Sequence, residues 1–213
     1  MRLIAVALVV LAASVIAQPA LPLPGRSLII TESNPSSVSL LDPVNLTKTP
    51  LTTAVTAAGL VSPSGCAVSI QRDAIFADFT GVSIYRIDLL GTMSTVVAGI
   101  LNNPVRIIED YNGDIIYTGN ALIYAPSSVM RLDATGTATT VAVLIGNPFG
   151  ICLDPSGVFP SGDYLVTLPL QGELQRVDAA GNITTITTGL AFPTSVQLFP
   201  NGDYAVLLAA TDE

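Results

Sequence analysis

Apolar and polar positions along this chain fall into short blocks rather than a helical period. Beyond residue 26 the hydrophobic runs are brief, rich in Val, Ile and Thr, and divided by turns carrying Gly, Pro, Asn or Asp. Branched side chains suit the pleated surface and those turn residues end it, so the pattern predicts antiparallel strands. No stretch there combines a 3.6-residue apolar period with helix caps.

The blocks recur in a fixed order. An apolar stretch follows a Pro-containing loop ("PVRIIED" at 104, "PFGICLD" at 148, "PTSVQLF" at 193), and a Gly-Asp turn follows it ("YNGD", "PSGD", "PNGD"). A second strand comes next ("IIYTG", "YLVTL", "YAVLL"), and then an Arg-x-Asp strand. A Gly turn and a Thr/Val-rich fourth strand close the unit ("STVVAG", "ATTVAVL", "ITTITTG"). Four short strands per 40–45 residues predict the blade of a β-propeller. A sandwich is the competing all-β architecture, but it supplies no reason for the chain to repeat itself.

Arg86, Arg131 and Arg176 lie 45 residues apart. The interval is not the elementary one: segments of 15, 10 and 15 residues make a 40-residue unit, and each full period adds about five residues in a different place. With strands lettered A to D from the axis outwards, the first blade begins at its B strand ("SLIITE"), with C near "SVSLLD" and D near 51–57. The next blades cover about 64–99, 104–145 and 148–189, and 193–213 supply an A and a B strand. If "TSVQLF" closed the ring by completing the first blade, "DYAVLLAAT" would be a surplus edge, which proteins avoid. The expectation is therefore an incomplete ring with about four to five blades present.

The start of the chain is read separately. Met1-Arg2 precedes a 15-residue apolar run, Leu3 to Ala17, with small residues Val15 and Ala17 before Gln18. That is the pattern of a cleaved secretory signal, and the run is too short to span a bilayer. Residues 1–17 are read as a signal peptide, 18–26 as a Pro-rich linker and 27–213 as propeller repeats. The expected location is secreted or periplasmic, with no membrane contact after cleavage.

Charge and composition narrow the chemistry. Eight basic residues against 16 acidic ones leave a net charge of −8, which argues against nucleic acid and anionic membranes as partners. The chain has no histidine, so Ser-His-Asp and Cys-His catalysis and His-ligated metals are excluded. Cys66 and Cys152 belong to different units, and the alignment sets Cys66 opposite Ile151; buried free thiols are the expected state.

Residues repeated in every blade are expected to be scaffold. Arg86, Arg131 and Arg176 share a strand face with Asp88, Asp133 and Asp178, which predicts an intra-strand or inter-blade polar ladder. The Asp-x-x-Gly stretches read as ordinary turns. Departures from the repeat are the better places for function. Loops joining D to A and B to C share one face of a propeller, and the insertion at 119–128 ("GNALIYAPSS") lies in a B–C connection. Asn103, Arg106, Asn120, Tyr124, Asn147 and Phe149 are the candidate ligand-binding residues at that face, with Glu32 and Asp78 at B-strand ends on the same side.

The stretch "LQRVDAAGNITTITTGLAFPTSVQLFPNGDYAV" resembles the six-bladed propellers of the NHL-repeat, streptogramin-lyase and gluconolactonase-like group, and the resemblance extends over about 27–213. It implies an incomplete six-bladed ring. Streptogramin lyases rely on histidine, which this chain lacks. Gluconolactonase-like enzymes hold calcium with carboxylates and asparagines in the central mouth, for which Glu32, Asp78, Asn103 and Asn147 have the right chemistry. The leading expectation is a secreted propeller without a cofactor that binds a protein, glycan or small molecule. The alternative is a calcium-dependent, lactonase-like hydrolase.

Overall fold

In the computed structural model, residues 28–33, 36–41, 47–50, 60–88, 92–100, 102–120, 127–154, 162–199 and 201–209 are described. The proposed signal peptide, the Pro-rich linker and Tyr124 lie outside them. Among the described residues there is no helix, and the strands form five antiparallel sheets in which each strand pairs only with its sequence neighbours. The chain is a β-propeller of four-stranded blades.

The first sheet holds β1 (Leu28–Ser33), β2 (Ser36–Leu41) and β3 (Lys48–Pro50). The second holds β4 (Pro63–Val68), β5 (Ala74–Asp78), β6 (Ser83–Ile87) and β7 (Met93–Ala98). The third holds β8 (Asn103–Glu109), β9 (Ile115–Asn120), β10 (Ser128–Leu132) and β11 (Ala138–Val143). The fourth holds β12 (Ile151–Asp154), β13 (Asp163–Leu168), β14 (Glu173–Val177) and β15 (Ile183–Thr187), and the fifth pairs β16 (Pro193–Leu198) with β17 (Tyr204–Leu208). The described part of the first blade's D strand begins at Lys48, earlier than the expected 51–57, which lies outside the described residues.

Burial falls from the inner strands to the rim. All five residues of β5 are buried, whereas all five of β15 are exposed. The B strands read as continuous apolar runs because their successive side chains point into two different blade interfaces. Ala74 and Phe76 pack with Val38 and Tyr85 toward the first blade, while Ile75 packs with Ile107, Tyr117 and Leu132 toward the third. The same clusters recur between the third and fourth blades and between the fourth and fifth. The hydrophobic core is thus a series of inter-blade layers. Outer strands are wetted on their rims, which explains why Thr replaces Ile there.

The repeated Arg residues form the inter-blade ladder, with partners other than the nearest Asp. Arg86 reaches Asp73 at 3.3 Å in its own blade and Glu109 at 3.4 Å in the next. Arg131 lies 3.8 Å from Asp114 and donates to the Tyr164 hydroxyl of the next blade at 3.0 Å. Arg176 pairs with Asp154 at 2.6 Å and donates to Tyr204 of the next blade at 3.0 Å. The intra-strand version is corrected: Asp88, Asp133 and Asp178 are used by their own turns. Asp133 Oδ1 accepts from the Thr135 and Thr137 amides, and Asp178 Oδ1 from those of Ala180 and Asn182. Gly136 and Gly181 take φ near +83° and +86° in these turns, a region where a side chain is strained. Cys66 and Cys152 are both free and buried.

Candidate ligand-binding site

Three of the innermost strands carry the loop proline at or next to their first residue, and the pairing slips just beyond it, between Pro63 and Cys66, Pro104 and Arg106, and Pro193 and Ser195. The residue two places after that proline is Gly65, Arg106, Gly150 or Ser195. At two of these positions the next inner strand lies backbone against backbone. A Cβ on Gly65 would sit 2.6 Å from the Arg106 Cα, and one on Gly150 would sit 2.7 Å from the Ser195 Cα. Only glycine permits such an approach. Among these four described positions Arg106 is therefore the one long side chain.

Contacts running from blade to blade hold it in place. Its Nη1 donates to the Ser64 carbonyl at 2.9 Å, an oxygen that also accepts from the Thr31 hydroxyl at 3.2 Å. On the other side the guanidinium lies over the Phe149 ring, 5.1 Å from its centroid. The Phe149 carbonyl accepts from Thr118 Oγ1 at 3.1 Å, and that oxygen accepts from the Arg106 amide at 3.2 Å. Arg106 and Phe149 are both half-buried. Unlike the ladder arginines, Arg106 pairs with no carboxylate among the described residues. Burial accordingly pushes its pKa down, with only a small opposing pull from Cys66, whereas Arg131 and Arg176 are held up despite their burial by Tyr and Asp partners. Burial pushes the neighbouring Cys66 thiol up to about 11 against the field of Arg106, so it stays protonated and is a poor nucleophile.

The other candidates separate into two groups. Asn103 and Asn120 face each other across the β8–β9 pair, and Asn103 Nδ2 donates to the Phe79 carbonyl at 2.8 Å, bridging to the second blade. The Asn120 Oδ1 is buried and lacks a hydrogen-bond partner. Asn147 is exposed and its Oδ1 accepts from the Ser127 hydroxyl at 3.1 Å, a loop tie rather than part of the Arg106 cluster. Glu32 stands opposite Ser37 in the β1–β2 register. Asp78 is fully buried and accepts from three amides, those of Val61, Ser62 and Gly81, at 2.8–3.1 Å. These bonds take three of the roughly four acceptor positions of the carboxylate and anchor the incoming loop. Among the described residues, no group of three His, Cys, Asp or Glu side chains is placed to hold a metal ion.

Sequence reasoning missed Ser64, Thr118 and Asn102, whose Nδ2 donates to Ser128 Oγ at 2.8 Å. They are ordinary polar residues, and only blade packing gives them a role. The opposite face carries a cleft of about 350 Å3 between the second and third blades, lined in part by Gln71, Arg86, Glu109 and Gly136. Arg86 and Glu109 there pair with each other in the ladder, and Asp133, also in its lining, is held by its own turn. Burial pushes the Glu109 carboxyl up, opposed by the Ile70 amide and by Arg86.

No protein-family model and no curated protein sequence matches the chain. Solved propellers do. A chain of the nidogen/laminin complex superposes with a TM-score of 0.68 at 18% identity, covering 82% of this chain and 65% of that one. A catalytically inactive virginiamycin B lyase from Staphylococcus aureus, solved with quinupristin, gives 0.62 at 15% identity, covering 86% and 66%. A gluconolactonase from Xanthomonas campestris gives 0.54 at 16%, covering 85% and 79%. The chain thus spans about two thirds of the length of the first two. At these identities the likeness shows the propeller fold, and the neighbours include both binding modules and enzymes.

Proposed function

We propose that this protein is a secreted or periplasmic β-propeller that binds a ligand at its D–A/B–C loop face without turning it over. A single observation carries the reading: Arg106, a half-buried cation with no carboxylate partner among the described residues, projects where neighbouring inner strands have glycine, and Phe149 covers one side of it. A scaffold ion pair serves the fold on its own, whereas a buried charge left without a counter-charge is a cost to stability that a ligand offsets. The chain has no histidine to act as a base, and Asp78 is engaged by three amides of its own blade. The overall acidity of the chain disfavours nucleic acid as the partner, leaving a protein, glycan or small molecule.

The test is a fragment screen on isotope-labelled protein followed by amide shifts. Perturbations clustered at 102–106, 118–120 and 146–150 are expected. Perturbations confined to the cleft around Gln71, Arg86 and Gly136 would move the site to the opposite face. A rise in melting temperature at millimolar calcium that Asp78→Asn abolishes would replace this reading with the calcium-dependent hydrolase.

A further inference from the structure

We propose that Arg106 anchors a small organic monocarboxylate, gripped by the Nε–Nη2 edge of its guanidinium beside the Phe149 ring. The inference rests on the D–A/B–C face being the binding face, and it adds the chemical class of the ligand. Arg106 Nη1 is committed to the Ser64 carbonyl and one ring face to Phe149. The Nε–Nη2 edge has no hydrogen-bond partner among the described residues, and that edge presents two parallel N–H donors matched to the two oxygens of a carboxylate. Ser64 and Phe149 hold the guanidinium from the blades on either side, so little rotamer freedom remains to be lost on binding.

The charge balance selects a monoanion. Among the described residues one guanidinium stands here without a second cation, in a chain of net charge −8, and a phosphate dianion would need more positive partners. The half-exposed Phe149 ring offers apolar surface, which favours a carboxylate carried on an organic body over a bare inorganic ion.

Benzoate is a suitable probe, with benzyl alcohol as its neutral counterpart and inorganic phosphate as the competing anion, each titrated by amide shifts into the intact chain. Benzoate is expected to bind saturably and to move Ser64, Arg106 and Phe149, with benzyl alcohol at least about tenfold weaker. Arg106→Met is expected to lower benzoate affinity at least about tenfold. Arg106→Lys, which keeps the charge but not the fork, is expected to fall in between and serves as the control if the Met variant misfolds. Equal affinity of benzoate and benzyl alcohol, or unchanged benzoate affinity in Arg106→Lys, would overturn the proposal. So would tighter binding of phosphate. If neutral fragments map to 102–106 and 146–150 while benzoate does not bind, the carboxylate class fails and the face stands. If nothing maps there, both fail.

Discussion

Two sets of arginines in this propeller differ in almost every respect except chemistry. Arg86, Arg131 and Arg176 sit on the C strands, recur with the blade, and are ringed by carboxylates and tyrosine hydroxyls. Arg106 sits on an innermost strand, occurs once, and faces a carbonyl and an aromatic ring with no carboxylate among the described residues. The first set closes one blade against the next. The second has no counter-charge among the described residues, and its position has glycine in two neighbouring blades. In a repeat protein, recurrence marks what the fold needs; the exception is where the proposed ligand site is placed.

The contrast yields ordered expectations for stability. Gly65→Val should be the most damaging, because its side chain would meet the Arg106 Cα and the Val105 carbonyl at 2.6 Å. A loss of about 4 kcal/mol in urea unfolding is expected; a loss below about 1 kcal/mol would show that the inner strands are not in close contact. Arg176→Met comes next. It leaves the buried Asp154 carboxylate without its 2.6 Å partner, at a cost of about 2 kcal/mol once partial exposure of the arginine is discounted. Arg106→Met should change stability by no more than about 1 kcal/mol, since the lost hydrogen bond and ring contact are offset by no longer burying a cation. If Arg106→Met proved as harmful as Arg176→Met, the two sets would be the same kind of group and the comparison would collapse.

The smallest expected effect is one of pH. Burial raises the Glu109 pKa above 4.5, so the folded protein holds that proton more tightly than the unfolded chain. Its contribution is fully present below 4.5 and is lost as pH rises through the folded value. Glu109→Gln cannot titrate, so wild type should gain melting temperature relative to the variant as pH falls from neutral toward about 4.5. Parallel curves would show that Glu109 does not titrate within the ladder. Asp133 and Asp178 act in the opposite sense: hydrogen bonds from their turns lower their pKa values, so their contribution is lost at still lower pH.

Much of the fold was legible before any coordinates. Blade count, strand order and turn positions follow from "R-[ILV]-D", the loop prolines and the Gly-Asp turns, because each recurs at the same place in the unit. The ladder was legible as a ladder but not by partner. Asp88, Asp133 and Asp178 lie two residues from their arginines, yet a D-x-x-G turn draws the carboxylate inward to its own amides, leaving the arginines to reach across the sheet. The site was half legible. Arg106 and Phe149 were singled out and are in contact, whereas Asn147 belongs to a loop tie and Tyr124 lies outside the described residues. Nothing in the sequence marks Thr118 or Ser64, because a hydroxyl or a carbonyl becomes informative only when another blade brings a donor to it.

The sequence by itself determined the repeating unit and which strands are buried, since period-two side chains and turn chemistry are local properties. It also excluded histidine chemistry outright. Only the tertiary structure decided which charges are neutralised. Ion pairing between blades depends on how neighbouring sheets are rotated about a common axis, a long-range relation that no local pattern records. That relation gives three arginines their carboxylates and leaves Arg106 without one among the described residues.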